Sequence, residues 1–587
     1  MGENHKKIGR VAIGVFVYFL ATMVLRPMYY LNDDVTIRSI LSGVYTGTPD
    51  GHGVYMEYPL TGLLALLYRA MPDTPWFDLF LSGCLIFGIY AIVTSVKTKS
   101  ILQKILLALL VLALFWDTLW YMHYTIVAAF LMGTGIVLWM THKKKYLSVL
   151  SFILGYMVRK QVFLLGLPFL LVAMLFGALN LSGKEVKEDE EAEKVETKKA
   201  NPVIEAVKGL VILAVLAAGC MGLHVVMYGA DEWKDYERFN TARTGLYDYS
   251  AFVSLADDDP IITNLSMDPD MRKILVSYDT MLDQSLTESV LNETLRQVPG
   301  TKTDLKTAIL GYLNHLKHDR YPLRFGLIAA YIGLFYLLIR KKKLKLLFPV
   351  ICLLGGRSLI WIYLMQEGRF PERIAFSLLI IEILLVGGML VKVGEASLKD
   401  ANLLKKESSS EENEITKSLK NLKNLKNPKI LLAAVCIAGF FGWNLIYTAG
   451  RMENQNIFQS QWDNLKDYCN TREDNLYLLD VYSVVTYADR LYEEESYNTM
   501  LLGGWITGSP LAYERFNRAV LGVGDGADTL YCSDRVFFVT DTNPEVGVDV
   551  SWLESYLSKR YGKVVMQQVD TVECGPDKTF AVYGLKR

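Results

Sequence analysis

The chain has 587 residues, of which 51% are hydrophobic and 21% charged, too apolar for a water-soluble enzyme and too charged for a protein lying wholly in a bilayer. Its formal net charge of −1 hides a separation of sign, with basic clusters punctuating the apolar runs and acidic residues gathered in long polar segments. That is the pattern of a polytopic membrane protein with water-facing parts, and nucleic acid is not an expected partner.

A crossing helix needs about twenty apolar residues. Runs of that kind lie near 11–30, 76–96, 101–119, 122–140, 146–158, 161–180, 206–228, 323–339, 346–365, 374–391 and 429–448. The first follows Lys6, Lys7 and Arg10 and has no small-residue cleavage site behind it. It therefore reads as a retained helix that starts in the cytoplasm. Arg159-Lys160 separates 146–158 from 161–180. Counting these as two gives roughly eleven crossings and keeps His142–Lys145 and Arg340–Lys343 on the cytoplasmic side.

The polar segments follow from that count. Residues 183–200 and 394–428 are cytoplasmic linkers of low complexity, rich in Lys, Glu, Ser and Asn. Residues 31–75, 229–322, 366–373 and the tail face outward, and 229–322 carries polar helical patterns. The tail alternates strands (476–481, 536–540, 564–569, 579–585) with helices (483–495, 511–520, 551–561). The expected fold is mainly α: a transmembrane module over 1–448 and an extracytoplasmic α/β domain over 449–587. The seven cysteines form no CxxC pair, so neither a metal site nor a disulfide framework is expected from them.

Asn32-Asp33-Asp34 stands directly behind the first span, at the outer membrane surface. A short helix over 35–44 and a glycine-rich turn (Gly47 to Gly53) follow. Then Glu57-Tyr58-Pro59-Leu60 opens an apolar stretch, 60–68, too short to cross and suited to the interface plane. This order resembles the GT-C class of multi-spanning glycosyltransferases, which take sugars from polyprenyl-phosphate carriers. Their signature is an acidic residue or pair after the first membrane helix, then a His/Tyr-Pro-Pro-Leu-like element. The chain departs from it in having one proline, and Glu57 where histidine is common. The resemblance implies sugar transfer from a polyprenyl-phosphate donor to a cell-envelope glycan, polymer or lipid acceptor at the plasma membrane.

The chemistry expected of such a site can be assigned to residues. A hydroxyl acceptor needs a carboxylate to take its proton, for which Asp33 and Asp34 are the candidates. A lipid-phosphate leaving group needs cations, and Arg159, Arg369 and Arg373 are expected at the outer face. Direct displacement with one carboxylate gives inversion. Glu57, Tyr58 and His123 are further substrate-binding candidates; His123 fits an interfacial aromatic belt as well. Asp33, Asp34 and Glu57 together would suit Mg²⁺ or Mn²⁺. Arg238, Asn240, Arg243 and Asp248 form a charged group that fits either acceptor binding or a solvated helix. Two other functions remain open: a transporter or flippase for lipid-linked glycans, and a non-catalytic scaffold whose outer domain binds a partner.

The topology is testable directly. In a background lacking native cysteines, an impermeant thiol reagent added from outside labels cysteine at Ser551 and not at Ser409. The reverse pattern would overturn the sidedness of every candidate residue.

Overall fold

The computed structural model describes residues 26–98, 101–141, 145–181, 202–265, 267–283, 285–319, 321–403, 428–493, 498–523, 530–531 and 533–586. Most of the expected first span (11–25), the 183–200 linker and much of 394–428 lie outside the described residues. Among those described, eight helices are long and apolar enough to cross a membrane, and Leu102–Leu114 and Tyr146–Val158 are shorter apolar helices.

A short strand, β1 (Met28–Tyr29), leads into α1 (Asn32–Ser42). This helix stops at Gly43, whose φ of 89° and close approach to Pro49 exclude a side chain. α2 (Tyr58–Ala70) has Pro59 in its first turn. It has 13 residues and leaves Leu63 and Leu66 more than half exposed, as an interfacial helix would. Then follow α3 (Trp76–Ser95), α4 (Ile101–Leu114), α5 (Trp116–Trp120), β2 (Tyr121–Met122), α6 (Tyr124–Thr141), α7 (Tyr146–Val158), α8 (Lys160–Leu181) and α9 (Pro202–Met227). The helical insertion holds α10 (Asp231–Asp248), α11 (Pro269–Ser277), α12 (Glu288–Gln297) and α13 (Leu305–His318). The remaining long helices are α14 (Pro322–Arg340), α15 (Leu347–Gln366), α16 (Glu372–Leu403) and α17 (Pro428–Asn470).

α6 is the axis of the bundle. It is buried from Tyr124 to Met140, and α3, α7, α8 and α16 pack around it. Small residues allow the close approach: a Cβ on Gly133 would meet Leu384 at 2.5 Å, and one on Gly135 would meet Phe152 at 2.5 Å. α9 is the opposite case. Its Val211, Val215, Val225 and Val226 are 56–72% exposed, an apolar surface that water would not tolerate and lipid would.

α17 has 43 residues, about 65 Å of helix, roughly twice the hydrocarbon thickness. The expected domain boundary at 449 therefore falls inside one continuous helix. Beyond it lie β3 (Leu476–Leu479), β4 (Thr499–Leu501), α18 (Pro510–Val523), β5 (Val536–Asp541), α19 (Val550–Tyr561), β6 (Val565–Gly575) and β7 (Lys578–Lys586). The sheet order is β4-β3-β5-β7-β6, with β4, β3 and β5 parallel and β7 antiparallel to both its neighbours. The helix expected over 483–495 is only the turn Val481–Val484. Its continuation pairs with β1 instead: Tyr29 donates to Asp489 O at 3.0 Å and Leu491 to Pro27 O at 3.0 Å.

The two ends of the bundle differ in chemistry. At one end Lys145, Lys341 and Lys392 donate to the carbonyls of Trp139, Val393 and Met140, and Lys343 to the Asn180 side chain. Cations thus sit at the C-terminal ends of α6 and α8 and beside Val393 of α16. At the other end the first loop, the insertion, the 366–373 turn and the sheet domain gather. Tyr236 bonds to Trp505 O at 2.8 Å, Val481 N–H to Asp279 at 2.9 Å, and Thr303 N–H to Gln366 O at 2.9 Å.

Arg38 of α1 locks that end together. It is 1% exposed and its guanidinium reaches Asp489 at 2.7 Å and Asp78 of α3 at 3.8 Å. Asp489 also accepts from Trp462 at 2.8 Å and Lys466 at 3.2 Å. Burial alone would raise the Asp489 carboxyl, but the Arg38 and Lys466 cations hold it below the usual carboxylate range. Its contribution is therefore present above pH of about 3.9 and is lost as pH falls through the lower folded value. Asp489→Asn leaves two buried cations short of a carboxylate and should cost about 3–5 kcal/mol. Thermal unfolding in detergent reads this, with the exposed pair Lys208–Glu205 as a control expected to show no loss.

Candidate functional site

Asp33 and Asp34 occupy the first turn of α1, about 100° apart around the helix, and this separates their roles. Asp34 is fully buried, whereas Asp33 is half-buried. Asp34 Oδ1 accepts the Tyr124 N–H at 2.8 Å, satisfying a first-turn amide of α6. His123 completes that cap, its Nδ1 accepting the Thr125 N–H at 2.9 Å. This bond assigns the ring proton of the neutral imidazole to Nε2. Asp34 Oδ2 lies 3.8 Å from His123 Nδ1. Burial pushes the Asp34 carboxyl well above the usual range. The Tyr124 N–H opposes the shift, neighbouring Asp33 adds to it, and Arg373 opposes it.

Arg159 is the single extended residue between α7 and α8. Its guanidinium lies 4.8 Å from the Tyr55 ring centre and 5.4 Å from that of Tyr124. Arg159 and Arg373 are both within electrostatic reach of the His123 ring. Among the described residues neither has a carboxylate at ion-pair distance. Asp33 is within electrostatic reach of Tyr55, Tyr124 and Tyr278. Tyr278 in turn accepts from the buried Arg243 at 2.6 Å, and Asn240 holds the same guanidinium at 2.9 Å. Burial drives the Tyr55 hydroxyl up to about 12, so this aromatic box stays neutral.

Three candidates sit elsewhere. Arg369 is engaged by Asp248 and lies over the Tyr249 ring, on the rim formed by the insertion. Glu57 directly precedes α2, and its carboxylate is placed between Lys160 at 3.7 Å and His224 at 3.5 Å. Tyr58 belongs to the same group, its N–H donating to His224 Nδ1 at 3.2 Å and its ring 5.1 Å from His52. Burial raises the Glu57 carboxyl and Lys160 opposes the rise. The ligand set Asp33, Asp34 and Glu57 is therefore not assembled. Among the described residues no group of three His, Cys, Asp or Glu side chains is placed to hold a metal ion, and Asp34 is already committed to the α6 cap. Arg238 forms exposed pairs with Asp235 and Glu288, which fits its solvated reading.

Compared with family models, curated proteins and solved structures, the chain matches none. The site is thus read from its geometry alone. It can take a proton at Asp33 and accept an anion at Arg159 and Arg373, beside the N-terminus of α6, whose dipole adds to the positive field. Tyr55 and Tyr278 were not foreseen. The signal available for Tyr55 was its place two residues before Glu57 in the turn that opens α2.

The Asp34 assignment is testable through stability. Its folded carboxyl is raised, so its favourable contribution is greatest below the unfolded value and is lost as pH rises toward the folded one. Asp34→Asn keeps an acceptor for Tyr124 and should flatten this dependence without loss at neutral pH. Asp34→Ala leaves that N–H unpaired and should cost about 1–3 kcal/mol. Equal losses in both variants, read by thermal unfolding at several pH values, would refute a capping role.

Proposed function

We propose that the chain is a membrane glycosyltransferase of the GT-C kind, transferring a sugar from a polyprenyl-phosphate donor to a hydroxyl of a cell-envelope glycan, polymer or lipid. The observation that carries this reading is the pair of guanidinium groups, Arg159 and Arg373, without carboxylate partners beside the Asp33/Asp34 turn. An arginine near membrane depth costs about 2.5–3.5 kcal/mol on insertion scales, so two of them with no carboxylate at ion-pair distance among the described residues suit an anionic ligand. The lysine-bearing end is assigned to the cytoplasm and the sheet-bearing end to the outside, with eleven crossings in the plasma membrane.

In this reading the acceptor hydroxyl attacks the sugar C1 as Asp33 takes its proton. The C1–O bond to phosphate breaks on the opposite face, which inverts the configuration. The lipid phosphate leaves as an anion, and Arg159 and Arg373 take up its charge. Asp34 and His123 hold the turn and the α6 terminus in place. Arg369 serves the rim through Asp248 and is no longer assigned to the phosphate.

The transporter reading draws on one observation: Arg357 pairs with Glu382 at 3.2 Å, and Tyr331 donates to the same carboxylate at 2.6 Å, midway along α15, α16 and α14. The three side chains meet as an ion pair and one hydrogen bond, as a staple between helices would.

The reaction reading is tested with purified protein in nanodiscs, polyprenyl-phosphate hexoses and a broad acceptor panel. Asp33→Asn should lower transfer by about 10²–10⁴-fold, while Asp34→Asn lowers it less. Arg159→Lys and Arg373→Lys keep charge but lose the planar fork, and should weaken donor use. Full transfer by Asp33→Asn would refute the assignment of the base. Movement of lipid-linked glycan across the bilayer without transfer, abolished by Glu382→Gln, would favour the transporter.

A further inference from the structure

The loop after β4 runs Leu502-Gly503-Gly504-Trp505-Ile506-Thr507-Gly508 and leads into α18. Gly504 and Gly508 have φ of 112° and 80°, left-handed values that let the chain leave the sheet and turn back. Between them Trp505 and Ile506 are buried, and they join the core of the membrane module instead of that of the sheet domain. The helical insertion fastens this loop. Met281 N–H donates to Leu502 O at 2.8 Å, Thr280 to Thr507 at 3.0 Å, and the Tyr236 hydroxyl to Trp505 O at 2.8 Å. A Cβ on Gly503 would meet Tyr278 O at 1.8 Å, so only glycine fits against the insertion there.

Trp505 thereby reaches the candidate site. Its ring lies 4.7 Å from that of Tyr55, and the Arg159 guanidinium lies 4.8 Å from the same Tyr55 ring. With no carboxylate at ion-pair distance among the described residues, Arg159 is oriented by its aromatic contacts. One of these, Tyr124, belongs to the buried helix α6, whereas Tyr55 stands in the turn before α2. That turn does not hold Tyr55 by local preference, since Val54 has φ 53°, which is costly for a β-branched residue. Contacts from outside the turn hold it: the Tyr228 hydroxyl accepts the Val54 N–H at 2.9 Å, and Trp505 packs on the Tyr55 ring. We infer that Trp505 is a positioning residue, by which the sheet domain sets Tyr55 and, through it, the Arg159 guanidinium that receives the phosphate; the inference rests on the transferase reading above. The outer domain thus has a task in the site, where a displacement of about 1 Å can cost about 10²-fold in rate.

The test uses the full chain in nanodiscs and a short-chain polyprenyl phosphate as probe, read by microscale thermophoresis. Trp505→Leu keeps apolar bulk but loses the ring, and should weaken binding about tenfold, the scale of one desolvated cation–π contact. Tyr55→Leu, which removes the intermediary, should match it. Trp505→Phe keeps a ring against Tyr55 and should bind as the native chain does. Ile506→Ala alters a buried neighbour on the same loop and should leave binding unchanged. A thermal-unfolding cycle without ligand pairs Trp505→Leu with Arg159→Ala. Their losses should not add, because both act on Tyr55, whereas those of Ile506→Ala and Arg159→Ala should. Unchanged binding in Trp505→Leu, an equal loss in Ile506→Ala, or strict additivity of Trp505→Leu with Arg159→Ala would overturn the inference. A native chain that binds no polyprenyl phosphate, with the first cycle non-additive, would overturn the transferase reading alone.

Discussion

A buried guanidinium sets the architecture of the site end. Arg38 sits on the buried face of α1, and removing it from water is costly unless carboxylates meet it there. Asp78 comes from a membrane helix and Asp489 from the sheet domain, some 450 residues from Arg38 in sequence. Tyr29 adds to the same cluster through its hydroxyl bond to Asp78 at 2.5 Å. Because each charge needs the others, the first loop, α3 and the sheet domain are fixed relative to one another. The Asp33/Asp34 turn begins the helix that carries Arg38, so the position of the proposed base follows from this cluster.

Both ends of α6 are also matched. Its first amides donate to the Asp34 carboxyl and the His123 ring, and its last carbonyls receive Lys145 and Lys392. The lysines complement the helix dipole at the C-terminal end. The helix is also buried throughout its length, so its ends cannot rely on water for their unpaired groups. This makes Asp34 a structural group and leaves Asp33 as the proposed base. Two adjacent aspartates of identical chemistry thus acquire different tasks from one helical step.

Much of the membrane architecture was legible in the sequence because hydropathy reports directly on spans. The short pair around Arg159 resolved into α7 and α8, and the apolar stretch after Glu57 into α2. Four strands of the tail, β3, β5, β6 and β7, fall where their β-branched and aromatic runs lie, but β4 has only three residues and leaves no periodic signal. The helix expected over 483–495 failed because its backbone pairs with β1, a contact that local propensity cannot report. In the site, Arg159 and Arg373 were legible as cations at one face. The capture of Arg369 by Asp248, and of Glu57 by Lys160 and His224, depends on folded neighbours distant in sequence. The clue to the central cluster was present all the same: Asp78 is the single charge on the apolar helix α3, the usual mark of a buried pair.

The central claim is that Arg159 and Arg373 together receive a lipid phosphate beside Asp33. An experimental structure with a short-chain polyprenyl phosphate tests it most directly. The account places the phosphate oxygens within hydrogen-bond reach of both guanidinium groups, with the head of the molecule toward Asp33. Phosphate density at Arg369, at the Lys160/His224 group, or at the lysine-bearing end of the bundle would contradict it.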